Sequence, residues 1–238
     1  MIVDFHHHLL NEADHLRHLV ETCAELDIDR VCLSGLGLPS RNWLGDLSPG
    51  NEDVLRAMER HSELILGLGV IRLGREHGPE TVDRLRAQGF VGLKTIRPPA
   101  RYDDPSFWPV FARAEELGLP ILFHTGFVLA TDRDREDPVS SDHMRPACLD
   151  LVARRFPGLR MVAAHLGIPW HEEAAMLARY HSNAFVDLTG SPGGWRNRRA
   201  PAWFQEQLYW EDAFDKVVFG TDVHARGPGG PAADLRAL

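Results

Sequence analysis

The chain opens Met-Ile-Val-Asp-Phe-His-His-His, and its chemistry begins there. Ile2, Val3 and Phe5 favour a strand, where alternate side chains share a face. Asp4, His6 and His8 are therefore expected on one face, with Phe5 and His7 on the other. Two imidazoles aimed into one volume suit a first-row metal ion, because neutral imidazole nitrogen is a good ligand for zinc, iron, cobalt or nickel. Four more polar groups interrupt or end apolar runs later in the chain: Lys94 in Gly-Leu-Lys-Thr, His124 in Ile-Leu-Phe-His-Thr-Gly, His165 in Val-Ala-Ala-His-Leu-Gly and Asp222 in Val-Phe-Gly-Thr-Asp. Singly, each reads as a hydrogen-bonded core residue. Their shared position at the ends of apolar runs argues for a common site.

The elements that would carry them alternate along the chain. Strands are expected over the first eight residues and over 30–33, 64–71, 90–96, 121–123, 160–164, 184–188 and 217–219. Helices fall between them, over 11–26, 52–61, 79–88, the stripe of Phe107, Val110, Phe111, Ala114 and Leu117, and 146–156, 170–180 and 201–208. Pro79 sits at a first helical position, and Asp104-Pro105 supplies an N-cap and a pre-set turn. Eight strands with intervening helices in a single domain, 1–238, imply a closed (β/α)8 barrel. An open doubly wound sheet would show a glycine-rich phosphate turn after strand one, where this chain has His-His-His-Leu. The stretch after Asp222 is short and rich in Gly and Pro, and within it 232–238 is all that can form a helix. The barrel is therefore expected to be distorted or incomplete at its last helix, with a second copy of the chain able to cover the seam between strands eight and one.

Composition narrows the classes. With 238 residues, 44% hydrophobic and 25% charged, the chain is an ordinary soluble protein. A net charge of -8 argues against nucleic acid and anionic membranes as partners. It has neither an apolar run long enough to span a bilayer nor a signal-peptide start. The three scattered cysteines, Cys23, Cys32 and Cys148, lack metal spacing and suit a cytoplasmic protein.

The ordered motifs resemble the amidohydrolase superfamily of metal-dependent barrels, in particular the amidohydrolase-related branch with decarboxylases of the aminocarboxymuconate semialdehyde type. The resemblance runs to Asp222. It implies that His6, His8, His124 and Asp222 bind the metal and that His165 acts beside it. One divalent ion is implied, with zinc favoured by nitrogen-rich ligation and manganese or iron as alternatives. Lys94 could be the carbamylated lysine that bridges two metals elsewhere in the superfamily, and only then would a second ion be held. On this resemblance Asp222 is the base for a metal-activated water and His165 orients the water or polarises the substrate; Asp4, lying deeper on the strand, is expected either to support a histidine from behind or to make a structural hydrogen bond.

Specificity falls to the loops. Arg41, Trp43, Arg97, Trp195 and Arg196 are candidates for a planar carboxylate-bearing substrate, the guanidinium forking onto the carboxylate and the indole stacking. The acidic stretch Thr131 to His143 is a candidate lid, or a solvated insertion. The reaction expected is hydrolysis of a lactone, amide or ester. Nonoxidative decarboxylation of an aromatic or unsaturated acid is the alternative, and a non-catalytic metal- or partner-binding barrel stands third.

Overall fold

The computed structural model describes residues 1–36, 49–75, 78–131, 134–190 and 194–222. Eight strands form one parallel sheet in chain order, from β1 (Val3–His8) through β2 (Arg30–Ser34), β3 (Ile65–Ile71), β4 (Gly92–Thr95), β5 (Ile121–Phe123), β6 (Met161–Ala163) and β7 (Ala184–Asp187) to β8 (Val217–Val218). Parallel neighbours need crossovers, and helices supply them. These are α1 (His15–Glu25), α2 (Asn51–Arg60), α3 (Pro79–Ala87), α4 (Trp108–Glu116), α5 (Leu149–Arg155), α6 (His171–Tyr180) and α7 (Pro201–Gln207). Between β8 and β1 the Phe5 N–H donates to the Phe219 carbonyl at 2.9 Å, and the Thr221 and Asp222 N–H groups reach the His6 carbonyl at 3.0 and 2.6 Å. The ends of the sheet thus meet, giving the (β/α)8 barrel. The expected final helix at 232–238 lies outside the described residues.

Sequence determines the local breaks. α2 starts where the Asp53 carboxylate accepts the Gly50 N–H at 2.8 Å, with Glu52 and Asp53 in the first turn and Arg60 in the last, matching the helix dipole. Pro79 opens α3, and Asp104 caps the short turn that leads into α4. α1 starts at His15, four residues later than the hydrophobic pattern suggested.

Two apolar layers result. Val31, Leu33, Leu93, Phe123, Met161 and Val186 face outward against the helices. Cys32, Leu68, Leu122 and Val162, with Val3, Phe5, Leu66, Val91, Phe185 and Val218 around them, come from or next to all eight strands and fill the barrel's interior. By the two-residue period, the next inward positions above Leu122 and Phe185 are His124 and Asp187. The apolar plug therefore floors a polar mouth at the strands' C-terminal ends.

Candidate metal centre

β1 does not alternate as its sequence suggests. Asp4 pairs with Val31 but His7 pairs with Leu33, so one extra residue is bulged out between them. The bulge turns both Phe5 and His6 inward, Phe5 into the plug and His6 into the mouth above it. The expectation that Asp4 shares a face with His6 and His8 is corrected accordingly. Asp4 and His7 both turn to Thr221, whose hydroxyl donates to Asp4 at 2.6 Å and lies 2.7 Å from His7 Nδ1. Asp4 thus ties β1 to the end of β8 instead of supporting a ligand ring.

His6, His8 and Asp222 converge. Their Nε2 atoms stand 3.2 Å apart, and Asp222 Oδ1 lies 3.3 Å from His6 Nε2 and 3.0 Å from His8 Nε2. Donors held about 2.0–2.1 Å from a common tetrahedral centre are separated by roughly 3.3 Å, so the triangle fits a first-row ion. Proton placement agrees. His6 Nδ1 faces the Asp187 carboxylate at 2.8 Å and must donate to it, which leaves Nε2 a bare lone pair. His8 Nδ1 faces the Ser34 hydroxyl at 3.1 Å, so its own proton can sit there and free Nε2. Burial pushes His8 down to about 3 against the pull of Asp222, and holds His124 and His165 below the ordinary imidazole range as well. These rings stay neutral, as metal ligands must.

The other predicted groups surround this triangle. Lys94, fully buried on β4, donates from Nζ to His6 Nε2 at 3.1 Å, and burial lowers its amine to about 8 against the charges of Asp222 and Asp187. His165 Nδ1 is 3.6 Å from Asp222 Oδ2, and its Nε2 is 3.2 Å from His124 Nδ1. His124 is thus joined to the triangle through His165, and its Nε2 is buried with no hydrogen-bond partner among the described residues. An orphaned buried nitrogen costs about 1–3 kcal/mol unless something binds it, which suits a further ligand position.

Asp187 is the residue that sequence reasoning missed. Fully buried at the end of β7, it accepts from His6 Nδ1 on one oxygen. On the other it accepts from the His165 N–H at 2.8 Å, the Thr189 N–H at 3.0 Å and the Thr189 hydroxyl at 2.7 Å. Burial alone would raise its carboxyl, but the charge and hydrogen bond of His6, with His165 and Thr189, hold it below the usual carboxylate range. Its signal was available, since it stands two residues past inward-facing Phe185 at a strand's C-terminal end.

The loop candidates divide. Arg41 and Trp43 lie outside the described residues. Arg97 is held by Asp134 and by the Leu129 carbonyl at 3.0 Å, so its guanidinium braces the acidic loop. Asp137 pairs with Arg72 and Arg75, and His143 Nδ1 lies 3.2 Å from the Pro98 carbonyl, where the side chain anchors backbone. Trp195 donates to the Thr189 carbonyl at 3.1 Å and Arg196 to that of Leu188 at 3.4 Å, so both sit against the end of β7. Three residues of the mouth, Arg97, His165 and Asp222, adopt left-handed backbone with φ of 57°, 60° and 48°. Such conformations cost about 1–2 kcal/mol each in residues other than glycine.

A family model described as amidohydrolase matches residues 3–236. No curated protein matches the chain in sequence. Among solved structures, a TIM-barrel protein from Bordetella bronchiseptica is 19% identical with a TM-score of 0.70, over 99% of this chain and 89% of that one. A probable 2-pyrone-4,6-dicarboxylic acid hydrolase from Acinetobacter baumannii, with citric acid bound, is 15% identical with a TM-score of 0.59, over 93% and 83%. A 2,6-dihydroxybenzoate decarboxylase from Rhizobium is 16% identical with a TM-score of 0.60, over 100% and 91%. At these identities the likeness is one of fold.

Proposed function

The chain belongs to the amidohydrolase family, is a metal-dependent hydrolase or carboxy-lyase, and of these two we propose that it is a hydrolase opening a lactone, amide or ester of a small carboxylate-bearing molecule. The observation that carries this reading is the placement of Asp222, with one oxygen against both β1 imidazoles and the other toward His165.

His6, His8 and Asp222 would hold a divalent cation, and the bare Nε2 of His124 supports a fourth protein ligand. A nitrogen-rich set of this kind favours zinc, with manganese or iron as alternatives. Once bound, the cation supplies Lewis-acid chemistry and lowers the pKa of water from 15.7 to about 7. Asp222 Oδ2 accepts the proton of the attacking water as its oxygen bonds to the carbonyl carbon. Asp222 then returns that proton to the departing oxygen or nitrogen, with His165 beside it at 3.6 Å from Oδ2, so the protein finishes as it began. Lys94 supplies positive charge beside the forming oxyanion. A second cation belongs here only with Lys94 carbamylated, a reaction favoured by an amine lowered to about 8. Trp195 and Arg196 at the end of β7 support recognition of a planar, anionic substrate, with Arg41, Trp43 and Arg97 the remaining sequence candidates. Three buried unpaired cysteines support a reducing, cytoplasmic setting, and no described helix is long and apolar enough to cross a membrane. A second copy covering the seam between β8 and β1 is the partner this reading allows besides the substrate.

Decarboxylation is the second reading, supported by the name of the Rhizobium relative and by the same residues. There Asp222, carrying a proton, would deliver it to the carbon that loses carbon dioxide.

A panel of dicarboxylate lactones and hydroxybenzoates separates the two. Acid release from lactones, abolished by chelator and restored by zinc or manganese, is the expected result. Carbon dioxide release from the aromatic acids without ring opening would replace the first reading by the second, and turnover indifferent to chelator would overturn both.

A further inference from the structure

The hydrogen bonds around Asp187 run in two directions, and each ends at an imidazole nitrogen stripped of its proton. An ionised carboxylate can only accept, so every group facing Asp187 donates. On Oδ2 the donor is His6 Nδ1–H at 2.8 Å, and the consequence is an unprotonated His6 Nε2, the atom that accepts from Lys94 Nζ at 3.1 Å. On Oδ1 it is the Thr189 hydroxyl, at 2.7 Å. That hydroxyl has one proton, and Asp187 takes it. His165 Nδ1, 2.8 Å from the same oxygen, must then donate to Thr189. His165 Nε2 is left as an acceptor, so His124 Nδ1, 3.2 Å away, donates to it. The last link leaves His124 Nε2 bare, and that atom is buried without a partner among the described residues.

We propose that Asp187 and Thr189 are positioning residues that fix the ring protons of His6, His165 and His124, so that β1 and β5 present bare Nε2 lone pairs to one cation. Neither need touch the cation or the substrate. This rests on the reading above that His6 and His124 are ligands, but not on which reaction the centre performs. Asp187 serves both arms, whereas Thr189, whose hydroxyl also lies 3.3 Å from His6 Nδ1, governs the His165–His124 arm because His6 keeps its shorter bond to Asp187 at 2.8 Å, and this asymmetry makes the relay testable.

Ring tautomers of the metal-free protein, labelled with 15N-histidine, are read from long-range proton–nitrogen spectra, with His6 and His124 assigned through His6→Gln and His124→Gln. The expected result is protonated Nδ1 and bare Nε2 on both rings. Thr189→Val should release the His124 ring to a mixture of tautomers while His6 keeps its own, and Thr189→Ser should restore the pattern. Asp187→Asn, whose amide can donate where the carboxylate accepted, should disturb both rings. Zinc affinity, measured by chelator competition, should fall about 10–100-fold in Thr189→Val and Asp187→Asn and recover in Thr189→Ser. A His124 tautomer unchanged by Thr189→Val, with zinc affinity within threefold, overturns the relay even if Asp187→Asn fails to fold. Tautomers that shift as expected in a protein that hydrolyses nothing on the panel uphold the relay and discard the hydrolase reading.

Discussion

Asp222→Asn tests the centre most directly, because the structure separates what the change removes from what it keeps. Asp222 sits at φ 48°, a conformation that Asn, almost alone among other side-chain-bearing residues, adopts routinely. The amide matches the carboxylate in shape, so the backbone and the neighbouring β1 rings should hold their places. Two things are lost. The amide cannot take a proton from water, and its NH2 group can now donate to the His6 and His8 nitrogens that stood 3.3 and 3.0 Å from Oδ1. Removing a general base lowers turnover by about 10²–10⁴, equivalent to about 2.7–5.4 kcal/mol of barrier. Donation to the rings competes with the cation, so zinc affinity should fall as well. The assay is kcat at saturating zinc, with metal content and melting temperature measured on the same preparation. Asp222→Ala is the poorer probe, since alanine adds about 1–2 kcal/mol of left-handed strain to the chemical loss. A kcat within about threefold of the parent, with metal bound and fold intact, would refute the assignment of Asp222 as base.

Gly220→Ala should weaken the centre from behind. A Cβ there would lie 2.8 Å from His6 Cβ and 2.9 Å from Thr189 Cγ2, both fixed by the groups they hold. Overpacking of this kind costs about 1–3 kcal/mol, and at roughly 2–4 °C per kcal/mol the melting temperature should drop by several degrees, with zinc affinity falling too; an unchanged melt would show that β8 is free to move. Acid should destabilise the metal-free protein through His15, which burial on α1, with the charge of His7, pushes from 6.5 down to about 3. Because the folded pKa is depressed, the unfolded chain binds the extra proton between about pH 6.5 and 3, and stability is lost as pH falls through that window, by at most about 1.4 kcal/mol per unit. His15→Leu should flatten that part of the acid limb in urea titrations, and an identical slope in the variant would count against it.

Particular residues show what was legible in the sequence and why. His124, His165 and Asp222 each end an apolar strand, and in a barrel that position alone determines which rim a side chain joins. Pattern and place agree there, so both the barrel and its mouth could be read from one chain. Asp4 could not. Its apparent alternation with His6 and His8 is broken by a bulge that no glycine or proline announces and that appears only in the pairing with β2. Arg97 reads as a free cation at the mouth, yet its partner Asp134 comes from a loop 37 residues later. Asp187 obeys the strand-end rule as well as any residue, but a carboxylate in Val-Asp-Leu looks solvated until His6, 181 residues away in sequence, is placed against it.

Several departures from ordinary local structure meet at the mouth, and that bears on how the centre is maintained. His165 and Asp222 are held in left-handed backbone, His124 keeps a bare buried nitrogen, and Lys94 lies buried on β4. Each is unfavourable in isolation, by about 1–3 kcal/mol for the strained residues and the orphaned nitrogen. What offsets them is the apolar plug below, where every fully buried Leu or Phe contributes about 1.5–3 kcal/mol, and the four donors that converge on Asp187. A fold selected for stability alone would relax such features one at a time. Left-handed residues also occur elsewhere, at Asp14, Asp27 and Asp212, but at this mouth they meet buried groups able to hold a cation, and that combination is what a barrel built to grip one requires.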